Sequence, residues 1–137
     1  MFLPGRAFPF TRSIHICDHL KAATCRAIHA TAAKMTVQRI TMFKVANEGD
    51  IPAFAEQYSA LEKNQQKNGK PYILSVNAHR PVDDPRTQGY NFLAHTTFSS
   101  LDDVKYYDEE CEAHKNLKAF AKERVAGPPM AVMWETS

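Results

Sequence analysis

Four segments of this chain alternate side chains with the two-residue period of a strand, and two carry the 3.6-residue period of a helix. Their order, β-α-β-β-α-β, is the strongest constraint on what the chain can become. It is the pattern of an α+β, ferredoxin-like domain with a four-stranded antiparallel sheet. Two helices cover one face of such a sheet, so the pattern also predicts a second, uncovered face.

The first strand is read from VQRITMFKV (Val37 to Val45), β-branched and aromatic, and Asn47-Glu48-Gly49-Asp50 ends it. Asp50 is a credible N-cap with Pro52 in the first turn, and Phe54, Tyr58 and Leu61 fall at i, i+4, i+7 on one helix face. That helix is expected to fade near Gly69, before Lys70-Pro71 forces extended backbone. The next run, YILSVNAHR, sets Tyr72, Leu74, Val76 and Ala78 against Ile73, Ser75, Asn77 and His79, and ends at about Arg80. In the third strand Tyr90, Phe92, Ala94, Thr96 and Phe98 share a face, with Asn91, Leu93, His95 and Thr97 opposite. Ser100 and Asp103 form a capping-box variant for a short helix that ends around Tyr107-Asp108. A second helical piece places Ala113, Leu117, Phe120 and Ala121 toward the core, with acids early and Lys115, Lys118 and Lys122 later, as the helix dipole prefers. Gly127 and Pro128-Pro129 stop it, and MAVMWE supplies the last strand.

Phe43, Val76, Leu93, Val132 and Trp134 spread bulky apolar groups over both sheet faces. A homodimer packed sheet to sheet is the economical way to cover the second face. Residues 1–34 are of another kind: five basic residues stand against Asp18 alone, without clean periodicity. Two explanations fit, a mitochondrial transit peptide or an upstream extension before a start at Met35, and the folded domain is placed at 35–137. The rest of the chain is mildly acidic, which argues against nucleic-acid binding. No apolar run is long enough for a membrane span. Cys111 is the one cysteine outside the extension, so that region has no disulfide framework and reads as cytoplasmic. Cys111 and His114 stand at i, i+3, half of a metal site, but companion ligands at recognisable spacing are missing and no metal is expected.

The segment from Gly89-Tyr90 through Phe98, Ser100, Tyr107 and Ala113-His114, together with ITMFK at Ile40 to Lys44, resembles the stress-responsive α/β-barrel family. The resemblance runs from about Thr36 to the C-terminus. It implies dimeric ferredoxin-like domains, of which the best understood are cofactor-free polyketide cyclases such as olivetolic acid cyclase. It also implies a pocket for a small aromatic or polyketide-like molecule, and acid/base roles for His114 and Tyr107. Imidazole suits removal of a proton beside a carbonyl, and a phenol suits donation to the oxyanion that develops. On one straight helix these two residues would stand about 10 Å apart, so the chain must bend between Tyr107 and Cys111, or substrate must lie between them. His114 equally fits a core histidine bonded to backbone, since it shares its helical sector with Leu117 and Ala121. Arg39 and Phe92 stand where the cyclases offer histidines. Arg39 suits an acidic or phenolate ligand, while Phe92 and Phe43 make a more apolar pocket. A binding module, a cofactor-independent cyclase or lyase, and a cofactor-free monooxygenase of the related antibiotic-biosynthesis group are the readings the residues allow.

Overall fold

The computed structural model describes residues 34–137. The expectations for the basic extension therefore lie, except for Lys34, outside the described residues. Strands β1 (Thr36–Phe43), β2 (Ile73–His79), β3 (Phe92–Phe98) and β4 (Met130–Thr136) alternate with helices α1 (Ile51–Asn64), α2 (Leu101–Glu109) and α3 (Glu112–Lys122). The sheet runs β2-β3-β1-β4, antiparallel throughout. The expected β-α-β-β-α-β arrangement is present, its second helical segment being the pair α2 and α3.

Register assigns the faces. Val37 pairs with Phe98, Arg39 with Thr96 and Phe43 with Phe92, so the odd-numbered residues of β1 share the helix-covered face with the even-numbered residues of β3. There Phe43, Phe54, Tyr58 and Phe92 gather with ring centroids 5.4 to 6.3 Å apart, tilted or edge-on to one another. Phe54 is fully buried at their centre.

Two local expectations need correction. Helix α1 stops at Asn64 rather than near Gly69, because Gln65 turns extended and its side-chain oxygen accepts from the N–H groups of Tyr72 and Ile73 at 2.8 and 3.1 Å. Asn68 and Gly69 then take left-handed φ values of 54° and 76° in a tight turn closed by paired Lys67 and Lys70. In β2 the simple alternation fails, since the register slips between Ile73 and Ser75. Ile73 thereby joins Val76 and Ala78 on the covered face, and Leu74 is left exposed.

The helical segment breaks at Glu110 and Cys111. Glu110 and Cys111 both donate backbone N–H groups to the Tyr106 carbonyl, at 2.8 and 2.9 Å. Cys111 is extended (φ −60°, ψ 114°), and α3 restarts in a new direction at Glu112. Ser100 caps α2 as expected, accepting from the Asp103 N–H at 3.2 Å.

The opposite face carries Ile40, Met42, Leu93, Val132 and Trp134, and no described helix packs on it. The Trp134 ring, 42% exposed as a residue, stacks on His95 at 6.0 Å. Strand β4 is exposed along nearly its whole length, so the helices leave even its inner side open. Among the described residues no helix is long and apolar enough to cross a membrane.

Candidate functional site

Because α1 and α3 cover β1 and β3 but not β4, a cavity of about 360 Å³ opens between β1, α3 and the Gly127-Pro128-Pro129 turn that leads into β4. Its floor is apolar, with Phe43 and Tyr58 on one side and Leu117, Ala121 and Val125 on the other. Arg39, Thr41 and His114 face it from β1 and α3, and Lys118 and Lys122 complete its wall. Among the described residues no acidic side chain lines it.

Arg39 occupies an inward position on the central strand, where a guanidinium is costly unless bonded. Its Nη1 donates to both Asp108 carboxylate oxygens at 2.8 Å, and Nε donates to Thr41 Oγ1 at 3.3 Å. The guanidinium carbon lies 5.4 Å from the centroid of the Tyr107 ring. The Arg39 side chain is only 12% exposed. Asp108 in turn belongs to the last turn of α2, and its carbonyl accepts from Lys118 Nζ at 2.7 Å.

His114, in the first turn of α3, is 6% exposed. Its Nδ1 stands 2.7 Å from the Tyr107 carbonyl oxygen. A carbonyl can only accept, so Nδ1 carries the proton and Nε2 keeps its lone pair. The His114 and Tyr107 rings stack with centroids 3.6 Å apart and planes 16° from parallel. Burial lowers the pKa of His114 to about 4, against the hydrogen bond to the Tyr107 carbonyl, which raises it. Burial also raises the phenols of Tyr58 and Tyr107, so both stay protonated.

The structure thus brings Arg39, Phe43 and His114 to one cavity. Tyr107 stacks on His114 without lining the cavity itself, whereas Tyr58 does line it. Phe92 is not on this wall: it sits on β3, across β1 from the opening, sealed under Phe54 and Tyr58. Tyr58, Leu117, Lys118 and Lys122 were missed as wall residues. Helical core spacing accounts for the first two and dipole order for the lysines, so the sequence held no signal that separated them from packing or solvation.

The sequence profile of the Stress responsive A/B Barrel Domain family matches residues 37–127. A protein of Gibberella zeae, the Fusaristatin A biosynthesis cluster protein, is 41% identical over 99 residues, covering 72% of each chain. Two solved structures share the fold. A dimeric ferredoxin-like protein of unknown function from Bacteroides fragilis is 19% identical over 74% of this chain and 96% of its own, with a TM-score of 0.59. A hydroxynitrile lyase from Passiflora edulis is 11% identical over 74% and 94%, with a TM-score of 0.60.

The depressed pKa of His114 carries a stability signature. A histidine that titrates near 6.5 when unfolded and at about 4 when folded binds its proton preferentially in the unfolded chain. Its contribution is complete above pH 6.5 and is lost as the pH falls toward 4, at up to roughly 1.4 kcal/mol per pH unit. Urea unfolding of the wild type and His114→Gln across this window should show the steeper loss in the wild type. Parallel curves would mean that His114 titrates alike in both states.

Proposed function

As the chain belongs to the Stress responsive A/B Barrel Domain family, we propose that it is a small cytoplasmic module that holds a small aromatic or polyketide-like molecule in the cavity between β1 and α3. The observation that carries this reading is the cavity itself: an apolar floor with a few convergent polar groups, Arg39, Tyr58 and His114, at a size near the lower end for small-molecule sites. The Gibberella zeae relative, named for a biosynthesis cluster, supports a role beside small-molecule biosynthesis. Titration with 2-naphthoate, followed by amide NMR shifts, should perturb Phe43, His114, Leu117 and Val125. Shifts confined to Ile40, His95 and Trp134 on the bare sheet, or no binding at all, would remove this reading.

The Tyr107–His114 stack favours a second reading, a cofactor-independent cyclase or lyase. His114 Nε2 takes a proton beside a carbonyl, and a protonated phenol, Tyr107 or its neighbour on the wall Tyr58, donates to the resulting oxyanion. A base whose conjugate acid has a pKa of about 4 is weak against the near-neutral value that suits proton abstraction. Binding without turnover is therefore the better-supported reading for the free protein. If turnover occurs, His114→Gln should slow closure of a linear polyketide thioester by roughly 10²–10⁴-fold over the spontaneous background. Equal rates for wild type and buffer alone would leave the binding reading in place and eliminate this one.

The bare sheet face supports a homodimer packed through that face. Ile40, Met42, Leu93, Val132 and Trp134 form an apolar surface too continuous to be left in water without consequence. Light scattering at micromolar concentration should give the mass of two chains, and Trp134→Glu should shift it toward one. A monodisperse wild-type monomer would refute the sheet-face dimer.

A further inference from the structure

Arg39 has five N–H donors, and the three on Nη1 and Nε have acceptors in Asp108 and Thr41. The two on Nη2 have none among the described residues. The side chain is 12% exposed and lines the cavity, so Nη2 is free to donate to an acceptor that enters there.

Charge points the same way. Asp108 neutralises Arg39, but Lys118 bonds the Asp108 backbone carbonyl, which carries no net charge. Lys122 makes no ion pair among the described residues. The wall therefore carries the positive charge of Lys122, an exposed residue, beside an apolar floor, and among the described residues no carboxylate lines it.

We propose that the cavity selects an organic acid, its carboxylate accepting from Nη2 of Arg39 with Lys122 supplying the second positive charge, and its apolar body lying on Phe43, Leu117 and Val125. This rests on reading the cavity as a ligand site and names the class of molecule it takes. A carboxylate meets the requirement at neutral pH because it is ionised there, whereas a phenol with a pKa near 10 is not. Nη1 already grips Asp108, so the guanidinium is held in place, and the ligand meets an oriented donor rather than a mobile one.

Two matched probes test the inference on the full chain: 2-naphthoate and its neutral amide, 2-naphthamide. By titration calorimetry the wild type should bind the acid at least roughly tenfold more tightly than the amide. Arg39→Gln should abolish that preference and Lys122→Gln should reduce it. Raising sodium chloride from about 0.05 to about 0.5 M should weaken the acid alone. Equal affinity for the two probes in the wild type, or a preference that survives Arg39→Gln, overturns the organic-acid inference while leaving the cavity as a ligand site. Failure of both probes to shift the amides of Phe43 and Leu117 overturns the cavity reading, and this inference with it. Should Arg39→Gln not fold by circular dichroism, the wild-type pair, the salt series and Lys122→Gln decide the matter.

Discussion

A four-stranded sheet has two faces to keep from water, and the described chain brings enough helix to seal part of one. That shortage of cover shapes the rest of the molecule. Helices α1, α2 and α3 seal the inner sides of β1, β2 and β3, where the cluster around Phe54 forms, and stop short of β4. Along that boundary the cavity opens, with the aromatic core as its back wall and the Pro128-Pro129 turn as its outer lip. On the reverse side the same shortage leaves Ile40, Leu93 and Trp134 uncovered. The cavity and the bare sheet face thus share one origin, two helical segments for four strands among the described residues.

Within the cavity the polar side chains depend on one another in sequence. Burying Arg39 on the central strand requires a carboxylate, and Asp108 at the end of α2 supplies it. That bond fixes the last turn of α2 against the sheet, which places the Tyr107 ring beside the guanidinium and its carbonyl beside His114. His114 is then held in one tautomer with Nε2 unbonded to protein. Burial lowers the pKa of His114 to about 4, which leaves Nε2 unprotonated but only weakly basic. An anion near Arg39 would work against that shift, since a negative charge favours the imidazolium.

The fold was legible in the sequence because its signals are local. Phe54, Tyr58 and Leu61 at helical spacing, Ser100 as a cap, Pro128-Pro129 as a stop, and the alternation around Phe92 and Phe98 each follow from backbone periodicity and capping chemistry. Where a local signal yields to a distant hydrogen bond, the reading failed. Gln65 ends α1 early by bonding Tyr72 and Ile73, and the slip at Ile73–Ser75 reassigns a face that strict alternation had given to Leu74.

For the site, the sequence by itself singled out the candidate residues: Arg39 on an inward strand position, and Tyr107 and His114 seven apart on the helical segment. Only the tertiary structure decided how they meet. The extended backbone at Cys111 turns an expected separation of about 10 Å into a ring stack at 3.6 Å. The gap left between α3 and β1 puts His114 and Arg39 on the cavity wall, while Phe92 stays sealed beneath Tyr58. The physical reason is range. Periodicity and capping act over one or two turns of chain, while the edge where helical cover runs out depends on how whole elements pack, and no short stretch of sequence encodes that.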